Sequence, residues 1–152
     1  MRIISIKVNK KEIYYAVMSK QDSENIILEK DEKISIPQNK TQPQLMGFFK
    51  DSFVNLLSEV KIKRVVYWCD SPGKALLLMP LGVLNLCCNE CNIDTKSKYS
   101  QNITAGLLGF ETKERGKKAI ALMKDFYKNA KYKNEDMRKV LAIGTVVLRG
   151  GN

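Results

Sequence analysis

The sequence contains no histidine, and acidic residues are scarce beside basic ones: 16 aspartates and glutamates stand against 26 lysines and arginines, a formal net charge of +10. The absence of histidine excludes histidine-dependent nucleophile triads and histidine metal sites. No apolar run approaches the ~18 residues of a membrane span, so no membrane partner is expected. The basic excess favours contact with a polyanion such as nucleic acid; the alternative is an ordinary lysine-rich surface.

Cysteine is also sparse, and three of the four cysteines form a CCxxC cluster. Cys87, Cys88 and Cys91 end an apolar segment, and Cys69 could supply a fourth thiolate to a zinc ion. Zinc sites of this kind usually have two CxxC pairs on loops, whereas the i, i+4 spacing of Cys87 and Cys91 places both on one helix face. We therefore expect core thiols rather than a metal site, and no disulfide in a reducing compartment.

The length of 152 residues suits one domain, which we assign to residues 1–148, with residues 149–152 as a flexible tail. The first residues indicate a strand rather than an export signal, because charges appear already at Arg2 and Lys7 and no small-residue cleavage site follows. A cytoplasmic location is expected.

Strand patterns dominate the first third of the chain. Alternating apolar residues predict two strands around the turn Asn9–Lys11, and residues 26–28 and 33–36 are short strand candidates. Apolar residues at three- and four-residue spacing predict a helix over 44–60, and the continuous run 64–69 predicts a strand buried on both faces.

Helical patterns dominate the rest. We expect an apolar helix over 74–91 that is kinked or broken at Pro80, a weak strand over 93–99, and a short helix capped by Ser100. An amphipathic helix over 114–127 and a last helix opening at Asn134 or Glu135 follow. This order predicts an α/β fold: a mixed five-stranded sheet, with an antiparallel meander and parallel strands, flanked by helices.

This succession resembles the ribonuclease H-like fold, and in detail its RuvC branch, to which the Holliday-junction resolvases belong. The pattern is also similar to a family of short bacterial RuvC-like proteins. The segments that carry the resemblance are Ile3–Val8, Lys63–Trp68, Leu81–Leu86, Tyr99–Gly109 and Asp136–Ile143. The resemblance covers most of the chain and rests on pattern rather than on a diagnostic motif.

The departures from the family pattern concern its catalytic acids. RuvC-like nucleases hold two Mg²⁺ ions with carboxylates from the first strand, the fourth strand and the last helix. By resemblance, the corresponding positions here are Lys7, Tyr67 or Trp68, and Lys139, and only Asp136 matches, one turn earlier. The resemblance thus implies a nucleic-acid ancestry and argues against cleavage, and the Lys7 ammonium could instead hold a phosphate.

Other acids could rebuild a metal site. Asp70 follows the fourth strand and Glu12 opens the second, so Asp70 and Asp136, with Glu12, are the candidate catalytic residues for a single Mg²⁺ ion. The alternative is that Asp70 caps the turn before Pro72 and that Asp136 caps the last helix.

Candidate nucleic-acid contacts concentrate late in the chain. Residues 111–139 contain ten basic and five acidic residues, a local net of +5. The candidates are Lys7, Lys74, Lys113, Arg115, Lys117 and Lys118. These cations could bind successive phosphates along a nucleic-acid backbone, or they could form a solvated helix face. Among the strand aromatics, Tyr14, Tyr15, Tyr67 and Trp68, base stacking is conceivable, but burial is expected.

Three functions follow as hypotheses. The first is a catalytically degenerate RuvC-like domain, without a cofactor, that binds nucleic acid or assists a nucleic-acid-processing machine. The second is an Mg²⁺-dependent nuclease with the rearranged acids. The third is a protein–protein adaptor, in which the apolar run 76–79 could form a homodimer face.

Overall fold

A computed structural model of the protein describes residues 1–22, 24–59, 61–70, 78–98 and 100–150. Its five strands form one sheet in the order β3-β2-β1-β4-β5. The antiparallel pairs are β1–β2 and β2–β3, and the parallel pairs are β1–β4 and β4–β5. This confirms the predicted mixed five-stranded sheet. The strands are β1 (Arg2–Val8), β2 (Glu12–Lys20), β3 (Ile26–Ser35), β4 (Arg64–Trp68) and β5 (Asp94–Lys98).

Helices cover both faces of the sheet. Two helices pack on one face beside Phe53 and Leu84, and the other three cover the opposite face around Met137 and Ile143. In the described part of the chain, no helix is both long and apolar enough to cross a bilayer. The first pair is α1 (Gln42–Glu59) and α2 (Met79–Glu90), and the second group is α3 (Ala105–Leu108), α4 (Lys117–Ala121) and α5 (Glu135–Leu148).

The central position of β1 follows from its composition. Ile3 packs under α5, Ile4 and Ile6 pack under α1 and α2, and all three are fully buried. β-Branched residues suit a strand with helices on both faces. Lys7 is therefore carried on the strand at the middle of the sheet.

The third strand is longer than predicted. The two short candidates at 26–28 and 33–36 form one ten-residue strand, β3, whose pairing with β2 shifts register between Val17 and Met18. The polar residues between the two candidates conceal the strand in the sequence. They are tolerated because β3 is an edge strand with much of its length exposed to solvent.

Two helix starts differ from the predictions. Pro80 lies in the first turn of α2, where a backbone N–H has no acceptor within the helix. The N–H that proline lacks is therefore not needed there, and Pro80 opens the helix rather than breaking it. The predicted start of this helix, including Lys74, lies outside the described residues, and Leu78 is not helical. The short helix α3 is capped by Thr104, whose hydroxyl accepts from the backbone N–H of Leu107 at 3.2 Å, and not by Ser100.

The helix predicted over 114–127 is shorter and interrupted. It consists of α4 followed by a 3₁₀ turn, Leu122–Asp125. The amphipathic pattern of 114–127 predicts that Phe126 faces inward, but this residue is 37% exposed and packs edge-on against Phe110 and Tyr127. The last helix, α5, begins and faces the core as predicted.

Three of the four cysteines are core residues, as expected. Cys69, Cys87 and Cys88 are buried, and burial raises the pKa of Cys88 to about 12, so its thiol stays protonated at neutral pH. The prediction was wrong for Cys91, which is exposed because α2 ends at Glu90. The strand aromatics, Tyr14, Tyr15, Tyr67 and Trp68, are buried, as predicted. The domain boundary at 148 stays a prediction, and tail residues 151–152 lie outside the described residues.

Helix α5 approaches the sheet closely at Gly144. A Cβ there would lie 2.5 Å from Sδ of Met18 and 3.0 Å from Oγ of Ser5, both buried. We expect Gly144→Ala to lower the free energy of unfolding by about 2 kcal/mol, because the helix must move away from the sheet. Urea denaturation would measure this, with Gly47→Ala in α1 as control, since nothing lies within 4 Å of a Cβ there. Equal effects of the two substitutions would contradict the prediction.

Candidate functional site

The candidate site lies where β1 and β4 end and α5 begins. Ile6 pairs with Tyr67, so Lys7 and Trp68 follow as neighbours on parallel strands. Trp68 belongs to the core beneath α3–α5, whereas Tyr67 belongs to the core beneath α1 and α2. Of the two fourth-strand alternatives, Trp68 therefore shares a sheet face with Lys7.

Lys7 and Asp136 form an ion pair between the sheet and α5. Lys7 is 8% exposed, and its Nζ lies 2.8 Å from Oδ1 of Asp136. The side-chain amide of Asn9 donates to the other carboxylate oxygen, Oδ2, at 2.9 Å. Burial alone would raise the pKa of Asp136, but Lys7 and Asn9 outweigh it and hold that pKa below its usual value. The carboxylate is therefore ionised, with its charge compensated by Lys7.

The start of α5 is fixed by Asn134 rather than by Asp136. Oδ1 of Asn134 accepts from the backbone N–H of Met137 at 3.0 Å, so the capping role considered for Asp136 is wrong. The Asn134 amide also donates to the Tyr14 hydroxyl at 2.9 Å, which ties the helix start to β2. Asp136 lies in the first turn, where the helix dipole favours a negative charge.

Trp68 connects Asp70 with α5. Its indole N–H donates to Oδ1 of Asp70 at 3.0 Å, and Nζ of Lys139 lies 5.2 Å from the centre of the ring. Lys139 also forms an i, i+4 ion pair with Glu135 at 3.2 Å. The turn-capping role considered for Asp70 involves residues 71–77, which lie outside the described residues.

The third candidate acid, Glu12, has other partners. Its Oε1 accepts from the Tyr14 hydroxyl at 3.3 Å, and its Oε2 lies 3.1 Å from Nζ of Lys33. Asp136, Asp70 and Glu12 thus each bind a different partner group. Within the residues described, no group of three or more cysteine or acidic side chains is placed to hold a metal ion.

A cleft of about 520 Å³ opens beside Lys7. Its polar lining comes from the end of β1, the turn after it and Asp70, and its apolar lining comes mainly from α1 and the start of α2. The polar residues are Lys7, Asn9, Lys10 and Asp70. Lys7 therefore contacts both Asp136 and the cleft.

The predicted basic segment forms a separate surface. Lys113, Arg115, Lys117 and Lys118 are all exposed. Backbone bonds hold the segment in place: Ala105 N–H donates to the Glu114 carbonyl, and Gly116 N–H to that of Ile103, both at 2.9 Å. Ion pairs found in the described residues do not include any of the four cations. Their charges therefore face solvent, and their role in binding stays a prediction.

Sequence reasoning missed Asn9, Asn134 and Lys98. The two asparagines were assigned to turn and cap positions, without their side-chain bonds to Asp136 and Tyr14. Lys98 ends β5, pairs in register with Trp68 and is 4% exposed. Its only sequence signal is the alternation Asp94-Thr95-Lys96-Ser97-Lys98, in which every second residue shares a face.

The chain is similar in fold to solved Holliday-junction resolvases. RuvC from Thermus thermophilus matches with a TM-score of 0.73 at 14% identity, over 96% of this chain and 92% of that one. The same protein in complex with a Holliday-junction substrate matches with a TM-score of 0.77 at 15% identity, over 99% and 96%. The yeast mitochondrial Holliday-junction resolvase matches with a TM-score of 0.63 at 13% identity, over 97% and 79%.

At the level of sequence, no protein-family model matches the chain, and no curated protein matches it either. The similarity to a narrower family of short RuvC-like proteins therefore stays a prediction. The strand order, the helices on both faces and the similarity to the solved resolvases agree with one another. The chain has the ribonuclease H-like fold in its RuvC-like form.

Proposed function

We propose that this chain is a non-catalytic RuvC-like domain that binds nucleic acid, alone or as part of a nucleic-acid-processing machine in the cytoplasm. The observation that carries the proposal is the Lys7–Asp136 ion pair at 2.8 Å, at the end of the central strand. The solved T. thermophilus RuvC complex, which contains a Holliday-junction substrate, supports the choice of partner.

The ion pair argues against a metal-dependent nuclease. A divalent cation beside Asp136 would also lie beside the Lys7 ammonium, which repels it in a poorly hydrated site. Both oxygens of this carboxylate already accept hydrogen bonds, from Lys7 and Asn9. Lys139 adds a further positive charge over Trp68. The nuclease alternative would require Lys7 to leave the site and Asp70 and Glu12 to exchange their present partners.

The basic segment supports binding to a polyanion. Half of the net charge of +10 lies within residues 111–139, where ten basic residues exceed five acidic ones. Lys113, Arg115, Lys117 and Lys118 project from a segment anchored by backbone bonds, so holding them near a strand requires little reordering of the chain. Each phosphate that they neutralise releases counterions.

The proposal predicts binding that depends steeply on salt. We expect a variant with glutamine at positions 113, 115, 117 and 118 to bind labelled junction, duplex or single-stranded DNA or RNA at least ~10-fold more weakly near 50 mM salt, and to show a shallower salt dependence, by up to about 0.9 per lost contact. Fluorescence anisotropy over a salt series measures both quantities.

A matched control removes the same charge elsewhere. Glutamine at Lys20, Lys40, Lys50 and Lys61 should reduce affinity less, because these lysines lie outside the basic segment. Equal losses in the two variants would contradict a specific role for the segment. Undetectable binding of the wild-type protein to every nucleic acid at low salt would overturn the proposed function.

The adaptor hypothesis retains one supporting observation. Met46 of α1 and Leu86 of α2 are 46% and 55% exposed, and both line a groove between these helices. An apolar surface of this kind could receive a protein partner or a second copy of the chain. Half of the run 76–79 named for this role, residues 76 and 77, lies outside the described residues, and Leu78 is 43% exposed.

A further inference from the structure

A row of cations crosses β4 and β5 on the side of the sheet that α5 covers. Arg64 pairs with Asp94, Val66 with Lys96, and Trp68 with Lys98, so the side chains of these pairs share one face. The only acid in the row, Asp94, already binds Nε of Arg64 at 2.6 Å. The row thus contains three positive charges and one negative charge.

Lys98 is the most buried cation in this row. It is 4% exposed, and the charges that act on it are those of Lys96 and Arg64, which are also positive. No carboxylate of the described residues forms an ion pair with it. Burial, reinforced by these neighbours, lowers the pKa of Lys98. A buried ammonium without a counter-charge destabilises a fold unless something outside the chain supplies that charge.

The position of the row allows such a group to approach. β5 is an edge strand, and beside the buried Lys98 both Lys96 and Arg64 are half-buried, with the Arg64 side chain 26% exposed. A tetrahedral oxyanion could accept hydrogen bonds from the ammonium groups of Lys96 and Lys98, which are neighbours on one face of β5, and a second oxyanion farther along the row could accept from the guanidinium N–H groups of Arg64 that Asp94 does not use. A phosphate group has the required charge and acceptor geometry.

We propose that Arg64, Lys96 and Lys98 bind phosphate groups of a nucleic-acid strand. This inference rests on the proposed function and adds three contact residues to those of the basic segment at 113–118. It assigns a role to Lys98, for which the Lys7–Asp136 pair gives no explanation. A free phosphate ion would meet the same chemistry, so the test separates the two sources.

The only tryptophan of the chain, Trp68, is next to Lys98 in the sheet register and therefore reports on the site. Inorganic phosphate, titrated at constant ionic strength against chloride, is expected to change Trp68 fluorescence saturably and to raise the melting temperature of the wild-type protein. Lys98→Met should abolish both responses. In phosphate-free buffer this variant should melt about 3 °C higher than wild type, because an unpaired buried charge is gone. Lys40→Met, an exposed control, should respond to phosphate as wild type does.

A second variant guards against an unexpected folding defect at position 98. Lys96→Met removes a half-buried charge and should weaken the phosphate response roughly 10-fold, the effect of one charge-assisted hydrogen bond. If wild type shows no phosphate response, or if both variants respond as wild type does, the inference is overturned.

Oligonucleotide binding distinguishes this inference from the proposed function. Lys98→Met should weaken binding of the strand that the wild-type protein prefers, in addition to any loss at positions 113–118. Wild-type binding that Lys98→Met leaves unchanged would retain the proposed function and overturn the assignment to a strand. A phosphate response without any nucleic-acid binding would overturn the proposed function and assign the site to free phosphate.

Discussion

Replacing Lys7 with methionine is expected to lower the free energy of unfolding by about 2 kcal/mol, because Asp136 loses its counter-charge in a partly buried position. Asp136→Ala should have the larger effect, about 3 kcal/mol, since it leaves the more buried partner unpaired: the Lys7 side chain is 10% exposed and that of Asp136 is 29% exposed. The double variant should be about as stable as Asp136→Ala alone, because the second substitution removes a charge that is already uncompensated.

Urea denaturation of the four proteins gives the coupling energy of the pair, expected at about 2 kcal/mol. The matched control is the Lys139–Glu135 pair, whose glutamate side chain is 62% exposed and whose coupling should stay below about 0.5 kcal/mol. Single effects that simply add would show that Lys7 and Asp136 do not interact.

The same pair predicts a pH dependence. The pKa of Asp136 is lowered in the folded protein, so the unfolded chain binds more protons between the folded and unfolded values, and stability rises with pH in that interval. The contribution is complete above the unfolded carboxyl value and is lost as pH falls through the folded one. The stability difference between wild type and Lys7→Met should therefore shrink in acid, below about pH 4.

Lys7→Asp should turn the site from one that repels divalent cations into one that binds them. Without metal this variant should be less stable than Lys7→Met, because a second carboxylate then lies beside Asp136. Mn²⁺ at about 100 times its dissociation constant should restore about 2.7 kcal/mol. The wild-type protein should show no stabilisation by Mn²⁺, because the Lys7 ammonium beside Asp136 repels a divalent cation.

Thermal unfolding with Mn²⁺ and with a chelator provides the measurement. Lys10→Asp is the control, since Lys10 also lines the cleft but does not contact Asp136. Stabilisation of the wild-type protein by Mn²⁺ as large as that of Lys7→Asp would show that Lys7 does not exclude the ion, and would favour the nuclease alternative.

Most of the sheet could be predicted because its inner strands are apolar. The apolar residues of β1 and β4 are not spaced as in a helix, so both segments are predicted as strands. The order of strands and helices along the chain then predicts the sheet topology. The long third strand was missed because the polar residues near Asp31 interrupt the strand pattern. Only the three-dimensional structure shows that these polar residues lie at an edge of the sheet. It also shows that the backbone N–H groups of Lys131 and Tyr132 donate to the Asp31 carboxylate.

The site was predictable in its residues but not in its pairings. Lys7 and Asp136 could each be named from the family pattern, yet their contact depends on how α5 crosses the end of β1, which no local pattern records. Lys98 was missed because a lysine near a strand end is usually solvated, and its burial results from the elements that pack around β5. The side-chain bonds from Asn9 to Asp136 and from Asn134 to Tyr14 were missed because asparagine in a turn has many equivalent partners.

Both edges of the sheet are strongly charged. β3 carries Glu29, Lys30, Glu32 and Lys33, and the outer strand β5 has only five residues, with a charge at every second one. Lysines and short lengths at strand edges discourage the addition of another chain, which is the first step of edge-to-edge aggregation. The charges on both edge strands should therefore disfavour the addition of a further strand, whether from a second copy of the chain or from an extended peptide.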